Sequence, residues 1–240
     1  MAGRLSYWRI GVAEACRIGA RVVLERCWAV VALWGMAAVV IAAYFFVPGV
    51  PALLEPVGRW RHEHGWVASF VLCAVFCGLI PYFIYLVRQC PGCRSVHFTA
   101  FAQTVWCGLC GVVCGWFFSL QAHWFGNGHD VLTVATKVIV DQFGWSVLVM
   151  VPANAAFYAV LSGGWRIGHE RVPLHVFIFR VYLPMLLMNW AAGIPSNCAV
   201  YSFPEDLQIP VLGLMSSAWS VISVGLGAHS GHAIRASSCP

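Results

Sequence analysis

Charge is what this chain has least of. Only 10% of its 240 residues are Asp, Glu, Lys or Arg, while 60% are hydrophobic; soluble globular domains carry about 25% and roughly 45–50%. So few charges exclude a water-solvated surface, and the remaining solvent is lipid. Lysine is nearly missing: 13 of the 14 basic residues are Arg, and Lys137 stands alone. The arginines flank apolar runs and form no patch, so the formal charge of +5 is read as a topology signal and nucleic acid is not expected as a partner. Catalytic signatures are missing too. The nine His are scattered, with no HExxH, GxSxG or P-loop. The expectation is a protein that is not an enzyme and holds no cofactor or metal. No cleavable signal is expected either, because the first apolar run begins at Trp28 after an Arg-rich arm and no Ala-x-Ala-like site follows. The arm would suit a mitochondrial presequence, but Glu14 and Glu25 speak against one.

Long apolar runs are what the chain has instead. Six stand out, each near the roughly 20 residues that a ~30 Å hydrocarbon core demands. They run from Trp28 to Val47, Trp66 to Val87, about Ser95 to Trp124, about Phe143 to Leu161, about Val181 to Phe203 and about Ile209 to Ala228. If the six alternate sides, one side collects Arg4, Arg9, Arg17, Arg21, Arg26, Arg88, Arg94, Arg166, Arg171, Arg180 and Arg235, and the other only Arg59, Arg61 and Lys137. That is 11 against 3, whereas the acids divide 3 against 6. The positive-inside rule reads this sorting as six crossings with both termini on the positive face. The host membrane is then the cytoplasmic membrane of a bacterium, or a mitochondrial or peroxisomal membrane of a eukaryote. The fold class expected is all-α: a polytopic transmembrane helix bundle of about six spans.

Pro81, Pro152, Pro184 and Pro195 fall inside the runs, where each removes a backbone hydrogen bond and invites a kink. The fifth run, holding two of them, is expected to be the irregular one, a span followed by a broken or re-entrant piece. Pro48 to Gly65 and Ser162 to Pro173 read as the longest polar connections. Between the third and fourth runs, Asp130 to Gln142 reads as an amphipathic helix at the interface, with Asp130 as N-cap. Val131, Val134, Ala135 and Val138 would form its apolar face, and Thr133, Lys137 and Asp141 the opposite one. Lys137 and Asp141, one turn apart, can pair on a solvated face or gate the mouth of a bundle.

Most of the eleven cysteines lie inside apolar runs and act there as small hydrophobes. Cys107, Cys110 and Cys114 share one helix face with Gly108, Gly111 and Gly115, and Gly111 to Gly115 is a GxxxG pattern. This face predicts close approach of another helix rather than a metal site. Cys90-Pro-Gly-Cys93 is a redox pair, half of a zinc site or a coincidence in a Cys-rich chain. Gln103, Gln121, Asn154, Asn189 and Asn197 sit at membrane depth, where amides either bond neighbouring helices or line a wet cavity.

Lys137-Val-Ile-Val-Asp141-Gln142 resembles the K-x-x-x-D-Q signature of the Mpv-seventeen / peroxisomal membrane protein (twenty-two-kilodalton) family. Gly111 to Phe118 is similar to that family's G-P-x-x-H/G-x-W-Y segment, and Leu183-Pro184, Asn189-Trp190 and Ile194-Pro195 to its W-P, N-F and V-P elements. Trp219 and Ser223 match its closing element. The likeness covers roughly Phe98 to Ser223; Val112 and Val147 stand where prolines are usual, Asn189 sits one place early, and no Arg follows Pro195. The family's core is usually described as four spans. The resemblance implies a small-solute channel, with Lys137, Asp141, Gln142, Asn154, Pro184, Asn189, Pro195 and Trp219 as pore or motif positions. Its partners would be the bilayer, small metabolites or ions, and a second copy of the chain. The alternatives are a non-catalytic membrane structural or assembly protein and a thiol oxidoreductase using Cys90 and Cys93. On this reading the chain divides into an Arg-rich arm (1–27), N-terminal spans (28–97), a family-like core (98–228) and a tail (229–240).

Overall fold

A chain this apolar must satisfy its backbone N–H and C=O groups within itself, and it does so with helices. The computed structural model describes residues 2–83, 94–163 and 177–237, with side chains over 12–83, 97–161 and 177–226, and no strand occurs among them. Helix α1 spans Ala2–Glu25, α2 Cys27–Phe46, α3 Val50–Cys73, α4 Arg94–Phe125, α5 Val131–Ile139, α6 Val151–Gly163, α7 Leu183–Tyr201 and α8 Glu205–Ser237. Wider π-helical turns extend three of these: Ala74–Leu79 follows α3, Val140–Met150 joins α5 to α6, and Ile178–Tyr182 leads into α7.

Among the described residues, five helical stretches are long and apolar enough to cross a bilayer: Cys27–Phe46, Val50–Phe83, His97–Phe125, Val131–Leu161 and Glu205–Leu226. The expected fifth run is helical but falls outside this set. Asn189, Asn197, Pro184 and Pro195 dilute its apolar residues. It is neither broken nor re-entrant: the helix runs from Ile178 to Tyr201 and continues through Pro195. The Pro48–Gly65 connection is likewise a helix. Val50 starts it after Gly49 (φ +95°), and Gly65 (φ +49°, ψ −114°) breaks α3 before the apolar part begins. Only glycine adopts such a φ, ψ pair without strain, so Gly65 sets where the second crossing starts.

Three of the four intramembrane prolines follow a widened turn. Each of the three π-helical runs ends two residues before a proline: Leu79 before Pro81, Met150 before Pro152, Tyr182 before Pro184. In the first and third, the residue preceding the proline makes the last wide bond, Ile80 N–H to Val75 O and Leu183 N–H to Ile178 O. The next donor in that register is the proline itself, which has none. Side chains also donate to carbonyls in these turns. Val147 O, five residues before Pro152, accepts from the Tyr182 hydroxyl at 3.0 Å. Cys77 O, four before Pro81, accepts from Gln103 Nε2 at 3.3 Å.

The chain forms two compact units, neither of them a contiguous stretch. The larger comprises Trp28–Asp141 and Ile194–Ser220; the smaller comprises Met1–Cys27, Gln142–Gly193 and Val221–Pro240. Polarity in the larger unit is inverted relative to a soluble protein. Val39, Phe46, Trp66, Phe101, Val131 and Leu132 face outward while Gln103, Gln121, Lys137 and Asp141 are buried. Aromatic residues mark both ends of this outer surface, with exposed Trp28, Phe83, Phe98 and Phe101 toward one and Phe45, Phe46, Trp66 and Trp124 toward the other. Within it α3 and α4 pack through the glycine face. A Cβ on Gly108 would lie 2.5 Å from the Phe70 ring, and one on Gly111 2.5 Å from Cys73 Cβ. The GxxxG face is therefore occupied inside the unit and is not free for a partner helix. In the smaller unit the former arm is helix α1, docked by buried Ala15, Gly19 and Val22.

The interfacial helix expected over Asp130 to Gln142 is corrected in two respects. It does not end before the crossing but runs on through Val140–Met150 into α6. Its inward stripe also mixes the two expected faces: Lys137 and Asp141 are 2% and 5% exposed and Val134 and Val138 are buried beside them, while Val131 is 85% exposed to the outer, lipid side. The Asp130 N-cap stands, accepting from Thr133 N–H at 3.0 Å and from the Thr133 hydroxyl at 2.7 Å. These bonds, the hydroxyl's first, hold the Asp130 carboxyl below its ordinary range. A depressed carboxyl stabilises the folded form above its unfolded pKa of about 3.9 and loses that effect as pH falls through the lower folded value. Thr133 amide exchange should therefore stay protected down to pH 4 and rise only in stronger acid; Thr133→Ala should move that onset to higher pH.

Candidate functional site

Apolar helices bury charge only where something compensates it, so Lys137 and Asp141 locate the site. They occupy consecutive turns of one helical stretch, and the hub between them is Tyr201, the last residue of α7. Its hydroxyl donates to Asp141 Oδ2 at 2.7 Å and accepts from Gln121 Nε2 of α4 at 2.8 Å. Lys137 Nζ lies 5.9 Å from the Tyr201 ring centroid, within cation–π range. Phe118 packs its edge on the same ring at 5.1 Å. A tyrosine has one hydroxyl proton; with that proton on the carboxylate, Gln121 must present its amide nitrogen. Gln121 Oε1 is then left buried without a partner among the described residues. The cluster thus holds a cation, an anion and an unused acceptor on a single aromatic side chain.

Gln142, one residue on from Asp141, serves the smaller unit. Its Oε1 accepts from Asn189 Nδ2 at 3.1 Å, and its backbone carbonyl from Trp190 Nε1 at 2.9 Å. That carbonyl belongs to the π-helical stretch, so α7 ties the widened turn down with two consecutive side chains. Phe143 packs on Trp190 at 5.2 Å. Asn154 is half-buried and bonds back to Met150 O at 2.9 Å. Pro184 is buried in the first turn of α7, Pro195 is exposed, and Trp219 is half-buried on α8. The amides Gln103, Gln121, Asn154 and Asn189 all make hydrogen bonds within the protein. Cys90 and Cys93 lie outside the described residues.

A second polar feature was not visible in the sequence. At one end of the larger unit a cleft of about 510 Å³ opens between the 50–64 helix, the turn after α4 and the start of α8. Its two carboxylates are already engaged. Glu205 accepts from Ser119 at 2.8 Å and Asn127 at 3.5 Å; Asp206 faces Arg61 at 3.4 Å and His62 at 3.3 Å. The three connections involved are those that alternating spans would place on one side. In sequence they are far apart and each reads as a polar turn. Tyr201 gave no signal either, since a tyrosine at the end of an apolar run reads as an interfacial anchor.

Helical but for short turns among its described residues, inverted in polarity and burying a lysine and an aspartate around one tyrosine, this is a membrane-embedded α-helical bundle. Neither protein-family models, nor curated proteins, nor solved structures match the chain.

Proposed function

We propose that the protein passes small polar solutes across its membrane, in the manner implied by its resemblance to the Mpv-seventeen / peroxisomal membrane protein family. The observation that carries this reading is the Lys137–Tyr201–Asp141 cluster, because charge buried among apolar helices at membrane depth marks a solute or ion path by default. The cleft supports it as an entrance of small-molecule size, within the roughly 300–1,000 Å³ of known ligand sites. The same cleft favours a topology in which the connections before the second, fourth and sixth spans share one face, leaving both termini on the arginine-rich face. The purified protein in planar bilayers should conduct or, in proteoliposomes, should release small polar solutes. Asp141→Asn should change that flux, whereas bilayers silent at high protein load would leave the protein a structural component of its membrane.

A further inference from the structure

The outer face of α1 takes no part in the cluster or the cleft. Ala15, Gly19 and Val22 form its docked stripe; a Cβ on Gly19 would lie 2.8 Å from Met188, and one on Gly225 would lie 2.6 Å from both Val22 Cγ1 and Arg26 Nε. Gly225 lies near the end of the last apolar run, which gives way in sequence to His229, His232 and Arg235, so the Val22 turn of α1 sits near the end of that run. Toward its start, α1 reaches Arg180 through Glu14 at 3.5 Å. Arg17 and Arg21 lie between these two levels. Both are exposed and one turn apart, on the side of the helix opposite the docked stripe. Three residues past the end of α1, exposed Trp28 stands in the first turn of the first apolar stretch. Glu25 is the one exposed acid on this outer face, and Glu14 is engaged by Arg180. Arg17 and Arg21 against Glu25 leave this face net positive.

We infer that Arg17 and Arg21 bind the phosphates of anionic phospholipids in the leaflet that α1 borders. The basic residues here are arginines, whose planar fork bonds phosphate oxygens in pairs. A convex helix face gives a free phosphate no enclosure, whereas a leaflet presents phosphates fixed in place and in number. The occupant is therefore the lipid headgroup. Basic residues beside a membrane span each contribute about fivefold to association with an anionic surface.

The test is titration of phosphatidylglycerol into the full-length protein in neutral detergent, read by native mass spectrometry. Arg17→Gln/Arg21→Gln should weaken lipid binding roughly thirtyfold, and Arg17→Lys/Arg21→Lys should keep most of it. Inorganic phosphate should not compete, and high salt should weaken binding. Equal retention of phosphatidylglycerol by the glutamine variant and the wild type overturns the inference. Two wild-type results do so without any variant: phosphatidylcholine bound as readily as phosphatidylglycerol, or inorganic phosphate displacing the lipid. None of these readouts depends on whether the protein conducts solutes.

Discussion

Gly111→Ala is expected to destabilise the protein strongly, because it adds a methyl to the filled α3–α4 seam. The new Cβ would stand 2.5 Å from Cys73 Cβ and 2.6 Å from the Ser69 backbone oxygen. A side-chain neighbour can turn away, but a backbone oxygen moves only with its helix, so α3 and α4 must separate. Overpacking a filled core typically costs about 1–3 kcal/mol, and a backbone clash belongs at the upper end or beyond it. Separation also strips contacts from Gly108 and Gly115 on the same face, which lie against Phe70 and Ser69. The internal control is Gly35→Ala on α2, where nothing lies within 4 Å of the added atom. That change should be neutral or slightly stabilising, because alanine is the better helix former by about 1 kcal/mol. Thermal unfolding of the two variants in the same detergent reads the difference directly. Equal melting temperatures would show that α3 and α4 do not meet through glycine.

This seam was legible in the sequence because small residues at helical spacing in an apolar run have few other uses. The same holds for the helical class, the apolar runs and the Asp130 cap, each fixed by local composition. The π-helical turns were not legible. A proline announces a missing donor, but not whether the helix widens ahead of it or which distant side chain reaches the carbonyls of that turn. Gln103 and Tyr182 reach them from 26 and 30 residues away in sequence, counting from Cys77 and Pro152 respectively. The inward turn of Lys137 escaped for a related reason. An amphipathic pattern specifies two faces, and the inward stripe here draws on both, Lys137 and Asp141 with Val134 and Val138. Gln142 shows the limit of residue-by-residue inference: it is adjacent to Asp141 in the motif yet bonds a different set of helices.

Lys137 and Asp141 should prove energetically coupled, with each single neutralisation worse than removing both. Asp141→Asn keeps an acceptor for the Tyr201 hydroxyl but removes the buried carboxylate nearest Lys137 along the helix, leaving Glu205 as the opposite charge that acts on the lysine. Lys137→Met does the converse to Asp141. Breaking a buried pair from one side costs about 3–5 kcal/mol, while replacing both members with apolar residues is often neutral or better. Lys137→Met/Asp141→Leu should therefore fall well short of the sum of the single effects, with a coupling of about 2 kcal/mol or more at this range of contact. Tyr201→Phe separates the hydroxyl from the charges. It leaves Asp141 and Gln121 each short of one bond, at about 1–3 kcal/mol, while the ring beneath Lys137 remains. Unfolding in mixed micelles gives the stability cycle, and solute release from proteoliposomes made with the same four proteins gives the functional one. If the double variant regains stability but not flux, the charges serve passage; if it regains both, they serve the fold. Additive single effects would mean that the two charges do not compensate each other, and the assignment of this cluster as a paired site would fall.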